Sequence, residues 1–208
     1  LLPLLLAPGC TLAGPDQGAA PSPAARAALS RILEIEAQRR PDYAALEGLC
    51  RSPLPFVRAR ALRALGRSGD PERRFTLAAS LEDPAPAVRR EALAGLALLG
   101  PAAAGPGLPL LHAGEEELRL LAAILAGRSR RPEMAPALAG LLEDPSPWVR
   151  GEAALGLGFL AKAGVLERNR ATAALDGLLA LAAGEREGEV LWRGAWALTH
   201  LVPAGPEE

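Results

Sequence analysis

A seven-residue signature recurs along the chain at nearly constant spacing. Ser52-Pro53-Leu54-Pro55-Phe56-Val57-Arg58, Asp83-Pro84-Ala85-Pro86-Ala87-Val88-Arg89 and Asp144-Pro145-Ser146-Pro147-Trp148-Val149-Arg150 share the form Ser/Asp-Pro-x-Pro-x-Val-Arg. Looser copies run from Ala113 to Arg119 and from Glu187 to Arg193. Anchored on the sixth residue, the copies fall at 57, 88, 118, 149 and 192, in steps of 31, 30, 31 and 43. A period near 30 residues marks an array of small units that bury their faces against one another, with an insertion before the last. A longer echo overlies it. Leu81–Leu96 and Leu142–Leu157, 61 residues apart, are identical at eleven of sixteen positions.

The signature has a physical reading. The second proline suits the first turn of a helix, where its missing N–H costs nothing and its fixed φ helps. Ser146 is a good N-cap ahead of it. The first proline ends the preceding helix, because the residue before a proline is biased out of the helical region. After each anchor, apolar or small residues recur at helical spacing: Val88, Ala92, Leu96 and Leu99, then Val149, Ala153, Leu157 and Leu160. That is one stripe of an amphipathic helix. Another helical run precedes each signature, such as Arg73 to Leu81 or Met134 to Leu142. Each unit is therefore helix, tight turn, helix.

Half of the 208 residues are hydrophobic but only seven are aromatic. The apolar content is largely Ala and Leu, both strong helix formers. One helical pair cannot bury both its faces; stacked pairs bury a continuous core, at about 1.5–3 kcal/mol per fully buried Leu or Val. The pattern predicts an all-α superhelix: a lead helix over about 24–39, then pairs over about 41–67, 71–100, 101–128, 131–162 and 167–202. Pro101, Gly105, Pro106, Gly107 and Pro109 predict a short or broken first helix in the third pair.

The Asp-Pro-x-Pro-x-Val-Arg-x-x-Ala pattern resembles HEAT repeats, in particular the short variety of phycobilisome lyases. The resemblance covers about 41–202 and implies an α-solenoid whose members mostly bind other proteins. It also implies that the signature arginines, Arg58, Arg89, Arg119, Arg150 and Arg193, pair with an acid at a neighbouring turn, where Asp83 and Asp144 stand. The other reading of that ladder is a row of cations for an acidic ligand. Exposed ion pairs contribute about 0–1 kcal/mol each, so the ladder orients repeats more than it holds them.

In HEAT arrays the second helices line the inner curve, which makes Arg60, Arg90, Glu91 and Glu152 candidate partner contacts. A solvated polar face is the alternative. Phe56 and Trp148 precede anchor valines and are candidate contact aromatics; packing over the turn is the competing expectation. Trp192 and Trp196, in an atypical terminal unit, are expected to seal that end.

Catalytic signals are weak. His112 and His200 belong to no spaced ligand set, and no C-x-x-C, P-loop or G-x-S-x-G is present. Two-iron hydroxylases on HEAT frames use His-Glu pairs, and no such dipeptide occurs. Glu115, Glu116 and Glu117 are adjacent and point in different directions on a helix; they suit a helix start. The net charge of −1 argues against nucleic acid, whose binders carry a basic excess. No metal, cofactor, nucleic acid or small-molecule substrate is expected.

Leu1-Leu2-Pro3-Leu4-Leu5-Leu6-Ala7-Pro8-Gly9-Cys10 resembles the end of a bacterial lipoprotein signal peptide. Gly9 and Cys10 fit the lipobox; Ala7 and Pro8 depart from it. The run is too short to span a bilayer. The resemblance implies a signal remnant over 1–9, lipid on Cys10, a tether over 10–23 and a tail over 203–208, with the solenoid over 24–202 between tether and tail. A flexible coil of about 14 residues reaches roughly 20 Å. Thr11 after the cysteine implies the outer membrane where two membranes exist. Cys50 is expected to be a buried free thiol.

These features favour a membrane-tethered, non-catalytic protein-binding scaffold in the cell envelope. The alternatives are an enzyme or enzyme subunit on a HEAT frame, lyase-like or glycosylase-like, and a cytoplasmic scaffold without the anchor.

Overall fold

A computed structural model describes residues 21–38 and 41–201. The lead helix is α1 (Pro23–Ala37), capped by Ser22, whose hydroxyl accepts from the Ala25 N–H. The first pair is α2 (Tyr43–Leu49) and α3 (Pro55–Arg67). In the second, α4 (Arg74–Ala79) lies between 3-10 turns Pro71–Arg73 and Ser80–Glu82 and is followed by α5 (Pro86–Leu99). The fourth repeats this plan with α7 (Ala135–Gly140), flanked by Pro132–Met134 and Leu141–Glu143, and α8 (Pro147–Lys162). The fifth is α9 (Arg168–Gly184) and α10 (Gly188–Leu201).

The third pair is the irregular one. Its first half is two 3-10 segments, Pro101–Ala103 and Gly105–His112, the latter with Pro109 inside it; α6 (Glu116–Arg128) completes it. The prolines remove the donors and impose the clashes that rule out an α-helix there.

Pro55, Pro86 and Pro147 open α3, α5 and α8 as their first residues. The third residue of every second helix points into the core: Val57, Val88 and Val149 are fully buried and Leu118 nearly so. In α10 that residue is Val190, 3% exposed, whereas Trp192 is 61% exposed. The anchor of the last unit is therefore Val190, a step of 41 from Val149, not Trp192. The burial of valine at the first turn sets the phase, and α10 has no proline to mark that turn.

The second helices α3, α5, α6, α8 and α10 stand side by side in one row, with the first helices packed behind. Three joints in the row are very close. A Cβ on Gly66 (α3) would sit 2.5 Å from the Gly95 (α5) Cα; one on Gly127 (α6), 2.4 Å from the Gly156 (α8) Cα; one on Gly158 (α8), 2.8 Å from the Ala197 (α10) Cα. At the α5–α6 joint the same register places Ala97 and Leu125. There Gly107, from the 3-10 segment, wedges between Leu93 of α5 and Leu125 of α6.

Candidate docking surface

The signature arginines form an inter-unit ladder. In each, Nη1 donates to two carbonyls of its own turn: Ser52 and Pro53 for Arg58, Asp83 and Pro84 for Arg89, Ala113 and Gly114 for Arg119, Asp144 and Pro145 for Arg150. Other nitrogens reach an acid of the following unit. Arg58 grips Asp83 with two bonds of 2.8 Å, and Arg119 grips Asp144 with bonds of 2.7 and 3.0 Å. Arg150 Nε donates to Glu185 at 2.6 Å, and Arg89 pairs with Glu115. The aspartates also accept the Ala85 and Ser146 N–H, both at 2.9 Å, and so hold the turn that launches the next helix.

These bonds set the charges. Arg58 holds the Asp83 carboxyl below the usual range. Burial works against the Asp144 carboxylate, yet the bonds from Arg119 and the Ser146 N–H keep it low as well. Arg150, helped by the N–H groups of Glu187 and Arg186, brings Glu185 down to about 2. The side chains of Asp144 and Glu185 are 4% exposed, so two of the pairs are far from the exposed kind expected from sequence. The charge-assisted, two-point Arg58–Asp83 and Arg119–Asp144 pairs fix geometry as well as energy.

Arg193 is not a rung of this ladder. Correctly phased, the ladder position of α10 is Leu191, and Arg193 bonds backwards to Glu152 at 2.6 Å. The remaining candidates are also engaged between units. Arg60 donates to Glu36 of α1 at 2.7 Å, with Arg67 on the same carboxylate. Arg90 donates to Glu117 of α6 at 2.6 Å. Glu91 is buried and held by Arg63, whose Nε donates at 2.9 Å. Burial pushes the Glu152 carboxyl up despite its arginine. None of these groups is a free contact; each joins neighbouring second helices or, for Arg60, the lead helix.

The aromatics divide. Phe56 packs half-buried against the core. Trp148 is half-buried but walls a cleft of about 180 Å³ between α8 and α10. Trp196 packs inward, in the joint between α8 and α10 and not over the open end, edge-on to Phe159 at 5.1 Å and against His200 at 4.4 Å. Trp192 does not seal that end either: its ring faces solvent. On the first helices, Phe75 of α4 is 62% and Leu179 of α9 is 52% exposed.

Cys50 is a buried free thiol, raised to about 12 by burial and the nearby Glu47 charge. Cys10 lies outside the described residues. Among the described residues no cluster of His, Cys, Asp and Glu is arranged to hold a metal ion, and no helix is long and apolar enough to cross a membrane.

The sequence does not single out Glu36, Glu185 or Arg63, and it places Glu115 and Glu117 at a helix start without pairing either with an arginine. Of these Glu185 carried a signal: it stands five residues before Val190, as Asp83 does before Val88 and Asp144 before Val149.

A family profile of HEAT repeats matches residues 17–97 and 106–199. Among solved structures, a designed armadillo repeat protein in complex with the peptide (KR)4 superposes with TM-score 0.60 at 18% identity, over 85% of this chain and 92% of that one. The complex of CpcE and CpcF of phycocyanin lyase from Nostoc sp. PCC7120 gives TM-score 0.56 at 19% identity, over 88% and 91%. An archaeal HEAT-like repeat protein from Thermococcus onnurineus NA1 gives 0.57 at 15%, over 87% and 78%. Against curated protein sequences the chain finds no match.

Proposed function

The chain belongs to the HEAT-repeat family, and from that premise we propose that it is a non-catalytic protein-binding scaffold, tethered to the bacterial cell envelope through lipid on Cys10, at the outer membrane where there are two. The observation that carries the binding role is the unbroken row of second helices, closed by the solvent-facing Trp192. Stacked helical pairs offer an extended surface without a catalytic cavity, which is how solenoids engage other chains. Exposed tryptophan is the residue type most enriched where such contacts carry energy. A frame of this shape is seen with a bound peptide in the designed armadillo protein. The anchor rests on the Leu-rich run ending in Gly9-Cys10 and on the Pro- and Ala-rich tether that follows.

Photocrosslinking in the source cells tests the binding role. A benzophenone side chain at Trp192 or Ala195 of α10 is expected to yield a discrete protein adduct, and the same probe at Phe75 or Leu179 of the first helices is not. Adducts from Phe75 and Leu179 alone would move the docking surface to the other row. Aromatic positions suit this test better than charge reversal at Arg60, Arg90 or Glu152, because those residues hold the units together. For the anchor, labelled palmitate is expected to enter the wild-type protein and not Cys10→Ser; equal labelling of both removes the lipid.

A further inference from the structure

The 61-residue echo allows two joints of the same row to be compared residue by residue. Arg90, the fifth residue of α5, donates to Glu117, the second residue of α6, at 2.6 Å. Sixty-one residues on, the fifth residue of α8 is Gly151, and the second residue of α10 is again an acid, Glu189. Ala87 is likewise replaced by Trp148. Loss of the arginine and gain of the indole leave an open cleft of about 180 Å³ lined by Trp148, Gly151, Glu187, Glu189, Val190 and Arg193. It is smaller than the roughly 300–1,000 Å³ of drug-sized ligand sites. It suits one side chain.

The charges around the cleft favour a cation. Arg193 leans over Gly151, its Cδ 3.1 Å from where a Cβ would stand. Its guanidinium is already committed to Glu152 at 2.6 Å and Glu189 at 3.1 Å. The Glu187 carboxylate makes no hydrogen bond among the described residues, and Arg150 next to it is taken by Glu185. Two carboxylates thus share one guanidinium, and the third, Glu187, has only the electrostatic reach of the engaged Arg150. An anion has no place here, since Glu185 already occupies the N–H groups of Arg186 and Glu187 at the start of α10. Trp148 adds an aromatic wall, the surface over which a guanidinium stacks.

We propose that this cleft receives an arginine side chain from a basic segment of the protein partner, laid on the Trp148 indole beside the Glu187 and Glu189 carboxylates, while Arg193 of this chain takes the place that Arg90 holds at the α5–α6 joint. The proposal rests on the scaffold reading and names the chemistry of its partner. Arginine fits better than lysine, because its planar fork serves two carboxylates while its face lies on the indole.

The probe is the peptide acetyl-Gly-Arg-Gly-amide, with citrulline as its uncharged counterpart, titrated into nitrogen-15-labelled protein. The arginine peptide is expected to shift the Trp148 indole N–H and the Gly151 amide, and the citrulline peptide to bind at least about tenfold more weakly, as loss of a charged hydrogen bond implies. Gly151→Arg fills the cleft from within and should abolish the shifts. The surface variant Glu187→Gln with Glu189→Gln leaves the core untouched and should weaken binding about tenfold. No shift at Trp148 in the wild type, equal binding of citrulline, or undiminished binding by either variant overturns the cleft. If Gly151→Arg still yields the adduct from Trp192 with undiminished efficiency, the scaffold stands and the arginine site falls. Loss of every adduct in the wild type defeats the scaffold itself.

Discussion

The α6–α8 joint and the α5–α6 joint join equivalent helices in different ways. At the first, two glycines bring the backbones together, and Arg119 meets a nearly inaccessible Asp144 with two bonds. At the second, Ala97 and Leu125 stand in the glycine positions, a proline-broken segment fills the space, and Arg89 meets a half-exposed Glu115. The α3–α5 joint repeats the first plan with Gly66, Gly95, Arg58 and Asp83. The 61-residue echo therefore has a structural meaning: it repeats a tightly fused set of two pairs, and the block of α3 and α5 meets the block of α6, α8 and α10 through one softer joint. A scaffold built this way is stiff within each block and compliant between them.

The contrast predicts unequal costs. Gly127→Leu must displace the α8 backbone and should lower stability by about 3 kcal/mol, the upper part of the overpacking range. Ala97→Leu, at the open joint on a half-buried position, should cost less than about 1 kcal/mol. Urea midpoints of the two variants measure the difference. Asp144→Ala removes a buried carboxylate and strips the half-buried Arg119 of its partner, and should cost about 3 kcal/mol. Glu115→Ala removes an exposed partner and should cost about 0–1 kcal/mol. Equal losses would erase the distinction between the joints. The smallest effect is acid sensitivity. Asp83, Asp144 and Glu185 are held below their ordinary values, so their pairs stabilise fully above pH 4.5 and lose that contribution as pH falls toward 2. Thermal melts of Glu185→Gln should fall less steeply than wild type over that window.

The signature made the solenoid legible, because proline at a helix start and valine one turn in are local requirements. The same local rule misled at the last unit. There proline is absent, and the Arg193 match drew the anchor to Trp192, two residues past the buried Val190. The Asp83 and Asp144 rungs were readable, while Glu115 was hidden because Ala113 occupies the acid's place and the carboxylate comes two residues later. The engagement of Arg60, Arg90, Glu91 and Glu152 could not be read from one helix. Their partners lie on the neighbouring element, 24 to 41 residues away. The cleft beside Trp148 needed one fact beyond the sequence, that the fifth residue of one second helix meets the second residue of the next.

Native-state hydrogen exchange tests the two-block construction most directly, because it reports opening free energies helix by helix. The expected result is shared protection of α3 with α5 and of α6 with α8, with a step between α5 and α6. Uniform protection along the row, or a step between α6 and α8, would contradict it.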